Sequence, residues 1–377
     1  MNTRILRSLL AAALALPVLL SLARPAAAEQ PPPPIQLAIV GLVHDHVGGF
    51  LPSLVGRSDV KLVGIVEPDR SLWAGYAMRF NLDPGLFSPT LEDLLAKTKV
   101  QAVATFTTTL DHRRVVELCA PRGIDVMMEK PMAVSLEDAR AIDAAAKKGG
   151  IQVVVNYETT WYPSNHEAYA LVNDRNAVGE LRKIVVHDGH KGPRAIGCSP
   201  AFLAWLTDPV LNGGGAAMDF GCYGADLITW LMRGQRPTSV FAVSQNLQPE
   251  AYPKVEDEST IVLTYPHAQG IIQASWNWAH GRKDMEIYGQ SGTLLVPDRD
   301  TLRLRHWDDA EADAPVPALK DPYADSISYF AAVVRGEIRP EGLSSVGVNL
   351  VVNEILDAAR ESARTGRRVD LPAEAAQ

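Results

Sequence analysis

Through the first part of the chain, short apolar runs alternate with amphipathic stretches. Ile35–Leu42 (IQLAIVGL) is an apolar run closed by a glycine turn, the pattern of a strand buried on both faces of a parallel sheet. Lys61–Pro68 (KLVGIVEP), the VQAVATFT run from Val100, Ile124–Pro131 (IDVMMEKP) and Ile151–Tyr157 (IQVVVNY) repeat it. Helical patterns fall between them at Phe50–Gly56, Ser71–Phe80, Leu91–Ala96 with its Thr90-Leu91-Glu92-Asp93 start, Leu110–Ala120 and Leu136–Lys148. Strand alternating with helix predicts right-handed crossovers and a doubly wound parallel sheet, an α/β domain over 35–155.

From about Lys183 the texture changes. RKIVVHDGH, TSVFAVSQNL, STIVLTYP, GIIQASWNWAH, KDMEIYGQ, GTLLVPD and TLRLRHW are polar–apolar alternations that predict an open, mostly antiparallel sheet. Helical patterns flank it at Asn165–Asn173, Gly215–Met232, Ser326–Arg335 and Val346–Thr365. The second, α+β domain is thus expected over 156–377, its last helix free to pack back on the first. Trp276 and Trp278 fall two apart in one strand pattern, where they can stack on a sugar ring or serve as core.

Residues 1–28 have the anatomy of an export leader: Arg4 and Arg7, an apolar stretch Leu9–Leu22 broken by Pro17, and Ala26-Ala27-Ala28 before the expected cut. A periplasmic or secreted protein with no membrane anchor after cleavage is expected, led by the Pro-rich 29–34. Against 44 Asp+Glu the chain has 36 Lys+Arg, a formal charge of -8, which excludes the basic face a nucleic-acid binder needs. Cys119, Cys198 and Cys222 make no disulfide framework; Cys198 and Cys222 can pair, or all three can be buried thiols.

The first βα turn reads Gly41-Leu42-Val43-His44-Asp45-His46. A dinucleotide site places G-x-G-x-x-G there, to seat the pyrophosphate on a helix N-terminus. Only Gly41 is kept, with Leu42, Val43 and His46 in the cradle, while Glu67 ends the second strand where an acid holds the ribose. That acid favours NAD; Arg70 nearby leaves NADP open.

Glu129-Lys130-Pro131 and the GGGAAMDFGCYGADLITWL stretch from Gly213, with FTTTLDH, VVNY and EIYGQSGTL, resemble the Gfo/Idh/MocA family, named for glucose-fructose oxidoreductase and inositol dehydrogenase. The resemblance covers essentially the whole chain after the leader. It implies a Rossmann domain, an open-sheet domain that assembles as a homodimer or homotetramer, and hydride transfer between NAD or NADP and a sugar or polyol. By the same resemblance, Lys130 is the cation at the reacting hydroxyl, brought in by a cis Pro131. Tyr223 gives or takes the proton, and Asp219 orients the substrate or assists. The ammonium is expected to lower the phenol's pKa. Thr107, Thr108 and His112 line the cofactor, Asn156 stands near the carboxamide, and Glu129 precedes the lysine. Thr160 stands where many relatives have arginine.

Three other readings remain. The fold can keep its sugar chemistry with a permanently held NAD or NADP, oxidising one sugar site and reducing it back. A divalent metal can replace the nucleotide, with His44 and His46 joined by His187 or His190, for lyase or hydrolase chemistry on a keto-sugar. Alternatively the chain binds sugar without turnover. Specificity is expected in loops such as Gly189–Phe202 and Asn246–Glu258.

Overall fold

Side-chain alternation settles the first sheet. Along β1 (Ile35–Val40), Leu37 and Ile39 pack into one apolar cluster and Ala38 and Val40 into another, so helices cover both faces. The structure, a computed structural model, describes residues 32–372; the expected leader and residues 29–31 of the Pro-rich lead lie outside the described residues. Within the described residues, 34–372 form one compact unit holding two sheets.

In chain order the first sheet and its helices are β1, α1 (Val47–Ser53), β2 (Val60–Val66), α2 (Arg70–Phe80), β3 (Phe87–Ser88), α3 (Leu91–Lys97), β4 (Ala102–Thr105), α4 (His112–Cys119), β5 (Asp125–Glu129), α5 (Leu136–Gly149) and β6 (Val153–Asn156). All pairs are parallel, in the order β3-β2-β1-β4-β5-β6, which makes the β1/β4 boundary the switch point where such sheets open a crevice. Helix starts follow the sequence: Thr90 and Ser135 accept from the backbone N–H of Asp93 and Asp138. β3 is two residues long and no apolar run announced it.

The second half adds α6 (Pro163–Tyr169), β7 (Leu181–Gly189), α7 (Pro193–Ile196), α8 (Pro200–Leu206), α9 (Ala216–Asp219), α10 (Gly221–Leu231), β8 (Ser239–Gln245), β9 (Glu258–Thr264), β10 (Gln269–Ser275), β11 (Arg282–Gly289), β12 (Gly292–Val296), β13 (Arg303–His306), β14 (Ala312–Asp313), α11 (Ser326–Val334), α12 (Val346–Thr365) and β15 (Val369–Asp370). Its sheet runs β14-β13-β12-β11-β7-β10-β9-β8-β15, antiparallel except for β7 beside β10. α10 lies on one face, with Gly224 against Ile272. α12 reaches back to the first sheet's layer, where Asn353 donates to the Ala133 carbonyl (2.7 Å) and Asp357 accepts from Leu136 N–H (2.9 Å). Among the described residues no helix is long and apolar enough to cross a membrane.

Three local expectations change. The helix expected over 215–232 breaks at Phe220 into α9 and α10. The 189–202 stretch holds α7 and the start of α8, capped by Ser199 accepting from Phe202 N–H. β10 ends at Ser275, so Trp276 and Trp278 lie beyond the strand rather than on one face of it. The three cysteines are free thiols.

Candidate active site

Lys130 follows directly on β5, a strand buried over its last four residues, and the Lys130–Pro131 peptide is cis, as the family resemblance implied. Its Nζ donates to Asp219 Oδ1 at 2.5 Å and to the Asp219 carbonyl at 3.0 Å, with both side chains under a tenth exposed. Asp219 comes from the other half of the chain. It gets there because Gly215, before α9, passes the Glu256 carbonyl so closely that a Cβ would fall 1.9 Å from its oxygen. The second Asp219 oxygen accepts from Trp276 Nε1 (3.0 Å). The Trp276 indole, fully buried, is therefore a brace for the carboxylate and not a sugar platform.

Burial opposes both charges, yet their mutual attraction prevails: Lys130 is held above the usual lysine range and Asp219 below the usual carboxylate range. Both stay charged. The Tyr223 ring lies 5.0 Å from Lys130 Nζ and 4.5 Å from Lys283 Nζ. The amine, carboxyl and phenol expected to converge do so. The expected lowering of the phenol is reversed, because burial, then the carboxyls of Asp188 and Glu158, drive Tyr223 well above the usual tyrosine range. Tyr223 is a neutral phenol at physiological pH, a proton donor rather than a standing base.

The crevice beside this trio keeps part of a dinucleotide site and rebuilds the rest. Gly41 has φ +86°, and a Cβ there would meet Thr107 Cγ2 at 2.7 Å and the Phe106 carbonyl at 2.8 Å, so only glycine turns β1 this close to β4. Glu67 is buried; its oxygens accept the backbone N–H of Leu42 (2.8 Å) and Asp69 (2.9 Å). It is thus no exposed acid at a strand end: it braces the turn at the place where the resemblance expects the ribose-binding acid. Glu129 accepts from Asn156 Nδ2 (3.1 Å) and pairs with His46 Nδ1 (3.0 Å), and Trp161 Nε1 fixes Asn156 (2.9 Å). Burial works against its charge, but His46, Lys130 and Asn156 together lower Glu129 below the usual range. His112 is buried and neutral; its Nδ1 is 3.2 Å from the Met132 carbonyl, and Nε2 has no partner. A carbonyl-bound Nδ1–H leaves Nε2 as a bare, buried acceptor. Thr107 Oγ1 donates to the Thr108 carbonyl, and Thr108 accepts from Asp111 N–H, so Thr108 caps a turn.

Val43 and His44 lie under a strap that the sequence did not reveal. Trp205 Nε1 donates to the Val43 carbonyl (3.2 Å), Ser199 N–H donates to Asp45 (2.7 Å), and Phe202 and Trp205 pack on the His44 ring at 4.7 and 5.4 Å. Farther along, Leu110 N–H bonds the Leu211 carbonyl (3.0 Å) and Thr109 bonds Asn212 (3.0 Å). Residues 199–212 thus tie to the turns after both β1 and β4, the two lips of the crevice.

Neither His187 nor His190 joins His44 and His46 in the expected metal set. His187 pairs with Asp284 (3.0 Å), and His190 accepts from Gly192 N–H (2.9 Å) with its ring against Phe220. Glu129 takes their place: the ligand atoms of His44, His46 and Glu129 lie within 4.8 Å of one another. His190, Phe220, Lys283, Tyr162 and Arg299 line a cavity of about 690 Å³; none of the trio lines it, but two of its residues adjoin them, the Phe220 ring 5.8 Å from Lys130 Nζ and Lys283 Nζ 4.5 Å from the Tyr223 ring. A larger cavity of about 980 Å³ is lined by Thr160, Trp161, Trp230 and Tyr329 and touches none of the trio.

Two family models match the chain. One, described as the oxidoreductase family with an NAD-binding Rossmann fold, covers residues 35–157; the other, the GFO/IDH/MocA C-terminal domain, covers 167–295. The chain belongs to the Gfo/Idh/MocA family. The family is one of sugar and polyol oxidoreductases with an NAD-binding Rossmann domain. Among relatives, the trans-1,2-dihydrobenzene-1,2-diol dehydrogenase of Sus scrofa is 26% identical over 328 residues, 85% of this chain and 92% of its own. The scyllo-inositol 2-dehydrogenase (NAD(+)) of Bacillus subtilis is 24% identical over 353 residues, 89% and 96%. The NAD+ complex of an inositol dehydrogenase homolog from Azotobacter vinelandii superposes with a TM-score of 0.78 at 20% identity, covering 90% and 98%, a likeness of fold.

Sequence reasoning missed Asp188, Glu158, Lys283 and Phe220 at this site. Asp188 had a signal: it continues the inward alternation of Ile184 and Val186 along β7, so a carboxyl stands at a position where the pattern asks for an apolar side chain.

Proposed function

We propose that this protein is an exported oxidoreductase that interconverts a hydroxyl and a keto group on a sugar or polyol, using NAD or NADP. The observation that carries the reading is the 2.5 Å Lys130–Asp219 contact, which joins the end of β5 to the end of α9 beside Tyr223 and an open cavity. A trio held this way, against the cost of burying two charges, serves chemistry better than it serves stability.

The residues present fit a nicotinamide at the β5–β6 end, where Glu129, Asn156 and the unpartnered His112 Nε2 offer polar partners. At the first turn the fit is narrower: Gly41 is kept, but the N–H groups of Leu42, His44 and His46 are held internally. When bound, the nicotinamide supplies or accepts hydride. Lys130 binds the reacting oxygen and stabilises the negative charge that grows on it; Asp219 fixes Lys130; Tyr223 donates the proton when a ketone is reduced. The strap across both crevice lips supports a nucleotide retained between turnovers.

The leader pattern of residues 1–28 supports export to the periplasm or medium. Phe241 and Val243, exposed on the outward side of β8, support a homodimer or homotetramer formed through the open sheet. One observation favours a second reading: the His44, His46 and Glu129 cluster, able to hold a divalent ion for keto-sugar lyase or hydrolase work.

The test is the absorbance and mass spectrum of the purified protein with a metal assay on the same sample, followed by turnover of sugars and polyols by Lys130→Met. A bound or accepted nicotinamide and an inactive, folded Lys130→Met are expected. Stoichiometric metal without nucleotide selects the second reading, and full activity in Lys130→Met refutes the assignment.

A further inference from the structure

The trio has a fourth member that the mechanism above leaves unused. Asp188, near the end of β7, is 1% exposed, and neither of its carboxyl oxygens has a hydrogen-bond partner. The large majority of buried side-chain polar atoms in proteins are satisfied, and leaving one unpaired costs about 1–3 kcal/mol. Such a group calls for a partner that comes and goes. Across the sheet Asp188 is in register with Lys283 on β11 and Ala274 on β10, and α10, which carries Tyr223, packs on this face.

Lys283 ties the two together: its Nζ pairs with Glu158 and lies 4.5 Å from the Tyr223 ring. The groups whose charge bears on Asp188 come from every neighbouring element. They are Lys283 from β11, Lys130 after β5, Glu158 after β6 and Asp219 from α9, with Tyr162, Cys222 and Tyr223 feeling Asp188 in turn. Burial outweighs the two lysines and raises Asp188 well above the usual carboxylate range, which favours its protonated form. When ionised, Asp188 weighs more on the Tyr223 phenol than any other neighbouring group.

We propose that Asp188 is the proton reservoir behind Tyr223: its unpartnered carboxyl meets the phenol in the reacting complex, directly or through one water, and passes it a proton as the phenol passes its own to substrate. The role rests on the oxidoreductase reading, with a reduced nicotinamide as the reductant. In ketone reduction the carbonyl carbon takes up hydride and the C=O π pair moves to oxygen. That oxygen takes the Tyr223 proton, the phenol oxygen takes the Asp188 proton, and the carboxylate left beside Lys283 is reprotonated from solvent. The products are an alcohol, an intact phenol and oxidised nicotinamide; oxidation of an alcohol runs the same transfers backwards. A relay of this kind explains how a phenol held so far above neutrality can serve without becoming a standing phenolate. Asp188 acts through Tyr223 and is a positioning residue.

The experiment compares wild type, Asp188→Asn and Asp188→Glu in single-turnover reduction of an inosose and of a 3-keto-glucoside by NADH across pH, with NADH binding read by fluorescence. An infrared difference spectrum between wild type and Asp188→Asn reports the protonated carboxyl directly. Expected are a wild-type rate that falls as pH rises through the raised carboxyl, and a loss of about 100-fold or more in Asp188→Asn with that limb gone. NADH binding stays unchanged, Asp188→Glu restores a pH-dependent limb, and the infrared band is present at neutral pH. An Asp188→Asn enzyme with the wild-type rate and limb, or no protonated carboxyl at neutral pH, overturns the proposal. Wild-type protein that shows the band but transfers no hydride to any keto-sugar refutes instead the oxidoreductase reading beneath it.

Discussion

Removing Lys130 should cost this protein stability as well as turnover, and the stability loss should depend on pH in a defined direction. At 2.5 Å and an effective dielectric near 20, the pair attracts by roughly 7 kcal/mol, most of it offset by the several kcal/mol needed to desolvate each ion. Breaking the pair from one side leaves Asp219 buried and unpaired, with only the Trp276 N–H as partner, so Lys130→Met should lose about 3–5 kcal/mol at neutral pH. In wild type the depressed Asp219 contributes stability that is present above the ordinary carboxylate range and lost as pH falls through its lowered value. In Lys130→Met burial acts alone and raises Asp219, so the penalty grows as pH rises through the carboxylate range and shrinks on acidification. The gap between the two proteins should therefore narrow toward acid. Urea unfolding of both, and of Lys130→Met/Asp219→Leu, over a pH series measures this; the double variant should recover most of the loss. A single-variant loss under 1 kcal/mol, losses that add in the double variant, or a gap that widens on acidification would refute the buried ion pair.

Two further outcomes follow from local geometry. Gly41→Ala forces a Cβ to 2.7–2.8 Å from Thr107 and the Phe106 carbonyl at a positive φ, and should cost about 2 kcal/mol or more in thermal or urea unfolding; an unchanged midpoint would contradict the turn. Trp276→Phe removes the N–H that holds Asp219 Oδ2, and should lower kcat more than it raises KM, with about 1–3 kcal/mol of stability lost, checked by steady-state kinetics and denaturation.

What could be read from the chain by itself was periodic or motif-borne. The two-sided apolar runs determined the parallel sheet, because burial on both faces leaves no polar alternation to hide; the period-two strands determined the open sheet. Lys130, Asp219 and Tyr223 were legible through their short motifs. What needed the tertiary structure is everything that depends on groups far apart in sequence meeting in space. Trp276 became a brace, Glu67 a clasp on its own turn, and Ser199–Leu206 a strap over His44, because each lies beside a partner dozens of residues away or more. Proton affinity belongs to the same class. Charge alone predicted a lowered Tyr223, while the packed interior, by removing water and setting Asp188 and Glu158 nearby, drove it the other way.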